Sequence, residues 1–165
     1  MFNKIILQEV ADILYRKNYT VAIAESVTAG LLQVAFASAN NATVFFQGGI
    51  TAYNARQKYT HLHVDLANAI SCNCVSETIA ADMALGAGRS FSSDWGIAIT
   101  GYASPLPGHD MDPLYAFYAF SFRDEIVKAG EIMAEPEDPL QVQLEYVNSL
   151  LLHFLEALKA QEAVI

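Results

Sequence analysis

The sequence predicts an α/β fold, a three-layer α/β/α sandwich in which helices cover both faces of a mixed sheet. Three observations lead to this prediction. Hydrophobic residues make up 53% of the 165 residues and charged residues only 16%, which provides material for a large core. Helix-like and strand-like segments alternate in the N-terminal part of the chain, as parallel strands joined by helices require. Two adjacent strand-like segments then predict an antiparallel hairpin.

The first elements are a helix, a strand and a second helix. Apolar residues recur at helical spacing near the N-terminus and predict an amphipathic helix: Ile5, Ile6, Val10, Ile13 and Leu14. Residues 20–24 then read as a short buried strand. Residues 31–38 follow as an apolar helix, which we expect to end at Asn40 and Asn41.

The middle of the chain repeats the alternation. Residues 44–53 are β-rich, and Gly48-Gly49 inside them indicates a bulge or a close backbone approach. A short helix carrying Arg56 and Lys58 should follow. Ser76 is a suitable N-cap for a helix reaching to about Phe91, and residues 95–100 then predict another buried strand.

The C-terminal part begins with a proline-rich and glycine-rich stretch, residues 101–113, which must be a surface loop. Residues 114–122 and 126–133 predict the antiparallel hairpin. Pro139 should begin a long final helix with one apolar stripe, since proline is favoured in the first turn of a helix. We expect residues 1–165 to form a single domain.

Composition narrows the classes of function. Nine Lys and Arg stand against eighteen Asp and Glu, and the net charge of -9 argues against nucleic acid or an anionic membrane as a partner. No stretch is long and apolar enough for a membrane span, so we expect a cytoplasmic protein. Cys72, Cys74 and the histidines show no zinc-ligand pattern, and we expect neither a metal nor a cofactor. The apolar final helix favours a homo-oligomer, although burial within a monomer explains it equally.

Ser26 is the first candidate for chemistry. It lies between the strand at residues 20–24 and the following helix, where its hydroxyl would be exposed at the sheet edge beside backbone N–H groups that stabilise an anion. A nucleophile fits this position. The alternative is that Ser26 or Thr28 only caps the helix.

Two further segments should reach the same edge of the sheet. Tyr53 and Lys58 follow the next strand, and a lysine whose charged form is disfavoured by burial can deprotonate a serine. An exposed surface lysine is the alternative. Thr100-Gly101 ends a third strand at the edge where α/β sheets bind ligands, although it can also be a simple turn into the loop.

The order of these motifs resembles the C-terminal domain of the competence-damage-inducible protein CinA over nearly the whole chain. That family carries A-E-S-C-T-G-G, G-x-x-x-Y-S-N-x-x-K, V-S-E and T-G-I-A-G-P in this order. The matching segments here are A-E-S-V-T-A-G from Ala24, G-I-T-A-Y-N-A-R-Q-K from Gly49, V-S-E from Val75 and T-G-Y-A-S-P from Thr100.

The resemblance implies an amidohydrolase that releases ammonia from nicotinamide mononucleotide. By that resemblance the catalytic residues are Ser26, Lys58 and Tyr53. The substrate, a small molecule of the pyridine nucleotide class, would contact Thr28, Gly30, Gly49, Thr100 and Gly101.

This sequence departs from the family pattern where the phosphate and ribose would bind. Single replacements within the motifs are Val27, Ala29, Ala55 and Ser104, and in the following loop Asp112 stands at a lysine and Tyr115 at a glycine. The family segment G-D-R-x-x-V-R-x-x-A before the last helix has no basic residue in its counterpart, residues 135–143. A phosphate dianion should bind poorly without charge-assisted contacts.

Three functions therefore remain open from the sequence. The first is an amidase like those of the family. The second is a degenerate or re-purposed domain that has lost phosphate binding and serves a non-enzymatic binding or oligomeric role. The third is an amidase for an uncharged or smaller substrate. The surviving Ser26, Tyr53, Lys58 and Thr100 favour retained chemistry.

Overall fold

The computed structural model describes residues 1–164 and contains a five-stranded mixed sheet with helices packed on its faces. In chain order the elements are α1 (Lys4–Lys17), β1 (Val21–Glu25), α2 (Leu31–Ala37), α3 (Ala42–Phe45), β2 (Phe46–Thr51), α4 (Ala55–Leu62), α5 (Leu66–Ser71), α6 (Glu77–Ser90), β3 (Trp95–Gly101), β4 (Leu114–Phe122), β5 (Glu125–Ala134) and α7 (Pro139–Val164). The α/β fold with a mixed sheet is thus confirmed.

The strand order β2-β1-β3-β4-β5 determines where the candidate residues meet. β1 pairs in parallel with both β2 and β3, whereas β4 is antiparallel to β3 and to β5. The carboxyl ends of β1, β2 and β3 therefore lie at one edge of the sheet. In open α/β sheets ligands bind at this edge, next to the position where the chain connections of two adjacent strands lead to opposite sides.

The two faces of the sheet carry side chains of different size. On β1, Val21 and Ile23 belong to the core under α1, α2 and α7, whereas Ala22 and Ala24 belong to the core under α4 and α6. Successive side chains on a strand point to opposite faces, so this alternation produces one bulky face and one shallow face. The shallow face allows α6 to approach closely: a Cβ at Gly96 of β3 would overlap the carbonyl group of Ala84 in α6.

Three details differ from the sequence predictions. Two short helices, α3 and α5, were not expected, because four and six residues are too few for helical periodicity to show. Val44 belongs to α3 rather than to the following strand. Ile5 was placed on the apolar face of α1 but is 76% exposed, because Leu7 and Ala11 complete the buried stripe in its place.

The predicted helix starts are confirmed at two places. The Ser76 hydroxyl accepts a hydrogen bond from the Ile79 amide at 3.2 Å, which makes Ser76 the N-cap of α6. Pro139 is the first residue of α7. Among residues 1–164 there is no helix with the length and hydropathy needed to cross a membrane.

Candidate active site

A cavity of about 610 Å³ lies at the carboxyl ends of β1, β2 and β3. Four segments form it: the turn after β1, the start of α4, the turn between α5 and α6, and the loop after β3. The first turn of α7 closes one side. Among the residues that line it are Ser26, Val27, Tyr53, Lys58, Cys74, Thr100, Gly101, Tyr102, Pro105, Pro107, Pro139 and Gln143.

Ser26 and Lys58 form the polar centre of the cavity. The Lys58 amino group donates to the Ser26 hydroxyl oxygen at 3.0 Å and to the Ala52 carbonyl oxygen at 2.7 Å. Lys58 extends from α4 into the protein and is only 1% exposed. Burial lowers the pKa of Lys58, and the nearby Cys74 thiol opposes this with a smaller effect. An amine with a lowered pKa next to a serine hydroxyl is suited to accept the serine proton.

The start of α4 places Lys58 at this position. The Asn54 side chain accepts from the Gln57 amide at 3.0 Å and begins the helix directly after β2. Lys58 follows in the first turn, so its side chain points back toward the end of the strand. The exposed surface lysine that the sequence also allowed is therefore excluded by the geometry.

A buried carboxylate, Glu25, shapes the turn that carries Ser26. It accepts hydrogen bonds from the Thr28 hydroxyl, from the backbone amides of Leu32 and Gln33 and from the Gln33 side chain. The carboxylate thus ties the last residue of β1 to the first turn of α2. Sequence reasoning missed Glu25, although an acidic residue between a buried strand and a helix start was a visible signal.

Three residues that the resemblance implies as substrate contacts lie outside the cavity lining. Thr28 is fully buried and its hydroxyl is engaged with Glu25. Gly30 has a φ of 106°, which allows the chain to turn into α2. Gly49 pairs with Ile23 inside the sheet, and a Cβ there would lie 2.8 Å from the Gln33 side chain. In this structure the three residues contribute to the turn around Ser26 rather than to the cavity surface.

The remaining candidates do line the cavity, in different ways. Tyr53 is 67% exposed and lies at the rim. Thr100 is buried, and its hydroxyl donates to the Cys74 carbonyl oxygen at 2.7 Å, which fixes the turn between α5 and α6. Gly101 packs against Ala116 of β4 so closely that a Cβ would overlap it.

The opposite wall contains residues that the sequence did not single out. The Gln143 side chain of α7 donates to the Val27 carbonyl oxygen at 2.8 Å, next to Ser26. Tyr102 is held from both ends: its hydroxyl accepts from Asn73 at 3.0 Å, and its carbonyl oxygen accepts from the Tyr146 hydroxyl at 2.9 Å. α7 is therefore part of the site as well as of the core.

The cavity contains little positive charge. Within the part of the chain that the structure describes, Lys58 is the one Lys, Arg or His side chain among the lining residues. When Val142 is aligned with the valine of the G-D-R-x-x-V-R pattern, Pro139 and Gln143 occupy the two arginine positions. Both residues line the cavity, so the departures noted in the sequence fall on its surface.

Similar proteins of known sequence agree with the resemblance. The family model described as the CinA C-terminal domain matches residues 3–156. A CinA-like protein of Picosynechococcus is 41% identical over 105 residues, which is 64% of this chain and 25% of that protein. A CinA-like protein of Chlorobium chlorochromatii is 32% identical over 162 residues, 97% of this chain and 38% of that protein. The chain thus spans about a quarter to two fifths of the length of these relatives.

Solved structures show the same fold. A CinA superfamily protein from Klebsiella pneumoniae has a TM-score of 0.87 at 23% identity and covers 97% of this chain and 99% of its own. A competence or damage-inducible protein from Enterobacter asburiae has a TM-score of 0.86 at 25% identity, with 96% and 99% covered. With the family model matching most of its length, the chain belongs to the CinA C-terminal domain family.

Proposed function

We propose that this chain is an amidohydrolase that hydrolyses a carboxamide, with Ser26 as the nucleophile and Lys58 as its general base. The observation that carries this proposal is the 3.0 Å hydrogen bond between the Lys58 amino group and the Ser26 hydroxyl, at the centre of a cavity. Family membership supports it, because the resemblance implies deamidation of a nicotinamide nucleotide.

The reaction would proceed through an acyl-enzyme. The Ser26 oxygen attacks the carbonyl carbon while its proton passes to the neutral amine of Lys58. Collapse of the tetrahedral intermediate breaks the C–N bond, and the Lys58 ammonium returns the proton to the leaving nitrogen, which departs as ammonia. Water, deprotonated by Lys58, then attacks the ester and releases the carboxylic acid.

Backbone amides would stabilise the oxyanion of the intermediate. The Val27 amide directly follows the nucleophile and donates to no acceptor within residues 1–164. We assign the oxyanion site to this amide together with amides near Thr100-Gly101, because such preorganised donors contribute much of the catalysis of acyl transfer. Tyr53, exposed at the rim, would orient the substrate or relay a proton.

The test is ammonia release by the purified chain from nicotinamide, nicotinamide riboside and nicotinamide mononucleotide. Ser26→Ala should reduce turnover by roughly 10³-fold or more, since the nucleophile is removed. Ser38→Ala is a matched control, because among residues 1–164 the Ser38 hydroxyl bonds only the Ala35 carbonyl at the end of α2, outside the cavity. Equal turnover by Ser26→Ala and the unmodified chain would refute Ser26 as the nucleophile.

A second candidate is a re-purposed domain that binds a ligand without hydrolysing it. The presence of Pro139 and Gln143 at the two arginine positions of the family pattern favours this alternative. It predicts no ammonia from any of the three carboxamides, and Ser26→Ala would then bind ligands as the unmodified chain does. Ammonia release that disappears in Ser26→Ala excludes it.

A further inference from the structure

The electrostatics of the cavity restrict the kind of substrate it can accept. Lys58 is its one cationic side chain among the described residues, and both hydrogen bonds made by its amino group stay within the protein, to Ser26 and Ala52. With 1% of Lys58 exposed, its charge is not available to a phosphate at the cavity wall. The strongest contacts of charged side chains to phosphate are direct, charge-assisted hydrogen bonds.

The N-terminus of α7 also provides positive potential at this cavity, and the chain's own carboxylate caps it. Asp138 is exposed and directly precedes the lining residue Pro139, and its side chain accepts a hydrogen bond from the Leu140 amide at 3.2 Å. Helix N-termini stabilise anions through such amides. Because Asp138 already supplies the negative charge, a second anion there would meet repulsion instead of free donors.

The surrounding surface adds negative charge and apolar contacts. Asp110 and Asp112 are exposed in the loop that follows the cavity wall, within a chain of net charge -9. The wall itself contains Tyr102, Pro105 and Pro107, whose rings offer an apolar surface on which a planar ring could stack. The cavity thus combines aromatic and apolar contacts with an environment that opposes anions.

From these features we infer that the substrate is a carboxamide on a planar ring that carries no phosphate or other anionic group. This inference rests on the proposed amidohydrolase function and adds the charge class of its substrate. The residues that set this class are Pro139 and Gln143, which place an apolar ring and a neutral amide where the family pattern has arginines, next to the Asp138 carboxylate.

A matched pair of ligands tests the inference. Nicotinamide riboside and nicotinamide mononucleotide share the same pyridinium carboxamide and differ only in the phosphate. In titration calorimetry we expect Ser26→Ala to bind the riboside at least about tenfold more tightly than the mononucleotide. The kcat/KM of the unmodified chain should show the same preference. Equal affinity, preference for the mononucleotide, or binding of neither compound would each overturn the inference.

Charge variants identify the residues responsible. Gln143→Arg and Asp138→Asn should each raise affinity for the mononucleotide relative to the riboside. Matched controls on the same helix are Gln141→Arg and Glu145→Gln, which make the same charge changes outside the cavity lining and should leave the ratio unchanged.

The two proposals fail in different ways. Absence of ammonia from every carboxamide, with riboside binding retained, refutes the hydrolase and leaves the charge preference intact. Hydrolysis that favours the mononucleotide supports the hydrolase and refutes the charge preference. If Gln143→Arg and Gln141→Arg change the ratio of mononucleotide to riboside affinity equally, net charge rather than the cavity wall governs binding. That outcome also refutes the charge preference.

Discussion

The Lys58 amino group lies 3.0 Å from the Ser26 hydroxyl oxygen, although the two residues are 32 positions apart in the chain. Strand pairing brings them together: β1 and β2 are parallel neighbours, Ser26 follows β1, and α4 begins shortly after β2. The contact therefore lies at the edge of the sheet where open α/β sheets bind ligands.

Lys58→Met should slow hydrolysis strongly and preserve the fold. Methionine has a similar length and is apolar, so it suits a side chain that is 1% exposed, but it accepts no proton. A general base typically contributes about 10²–10⁴-fold to the rate, and we expect kcat to fall by that factor. The measurement is steady-state ammonia release beside a thermal unfolding curve. Lys4→Met, at the start of α1 and outside the cavity, is the control. An unchanged kcat in Lys58→Met would remove Lys58 from the mechanism.

The rate should rise with pH to a plateau, with an apparent pKa below the ordinary lysine value of 10.5. Burial lowers the pKa of Lys58, and only its neutral form accepts the serine proton. Stability should change in the same direction. Between the folded and unfolded pKa values the unfolded state binds more protons, so the free energy of unfolding increases with pH in that window.

Measurement of kcat/KM against pH tests the predicted rise in rate. Urea unfolding at several pH values tests the predicted rise in the free energy of unfolding. In Lys58→Met the slope of stability against pH in this window should be smaller. A rate that falls with rising pH through the same range would contradict Lys58 as the base.

The order and type of most elements follow from the sequence because their signals are local. The continuous apolar runs of the buried strands β1 and β3, the Ser76 cap and the Pro139 helix start each depend on a few consecutive residues. The site is only partly predictable for the opposite reason. Strand order predicts that Ser26, Lys58 and Thr100 approach one edge of the sheet. It does not predict which group donates each hydrogen bond there.

Thr28 and Gln143 illustrate this limit. Both carry hydrogen-bonding groups near Ser26, yet Thr28 points into the protein toward Glu25 and Gln143 reaches the cavity from α7. A difference of 116 positions separates Gln143 from its partner Val27, and no local pattern encodes such a contact.

Glu25→Gln should reduce both stability and turnover. The buried carboxylate accepts from Thr28, Leu32 and Gln33, and an amide in its place directs an NH₂ group at these donors. Hydrogen bonds to charged groups contribute about 1.5–3 kcal/mol each, so we expect a loss of roughly 3 kcal/mol in the free energy of unfolding. The turn around Ser26 would also loosen and lower kcat more than it changes KM.

Urea unfolding and steady-state kinetics check this prediction. Glu9→Gln, an exposed acid of α1 paired with Lys159 at the surface, should change stability by less than about 1 kcal/mol. If Glu25→Gln is as stable as Glu9→Gln, the carboxylate does not hold the turn. If it is less stable but retains kcat, Glu25 supports the fold without positioning Ser26.

Two glycines of α6 provide a matched test of how the fold holds Lys58 in place. A Cβ at Gly86 would overlap the backbone carbonyl of Leu62, the last residue of α4, whereas a Cβ at Gly88 has its nearest neighbour, the Ser121 hydroxyl, at 3.6 Å. Gly86→Ala should therefore cost about 1–3 kcal/mol of unfolding free energy through overpacking. Gly88→Ala should be neutral or stabilising by up to about 1 kcal/mol, because alanine favours the helix.

The same pair separates stability from catalysis. Overpacking at Gly86 displaces α4, which carries Lys58, so kcat should fall even at temperatures where Gly86→Ala is fully folded. Gly88→Ala should retain the kcat of the unmodified chain. Unfolding curves and ammonia release for both variants give the measurement. Full kcat in folded Gly86→Ala would mean that α4 adjusts without moving the Lys58 amino group away from Ser26.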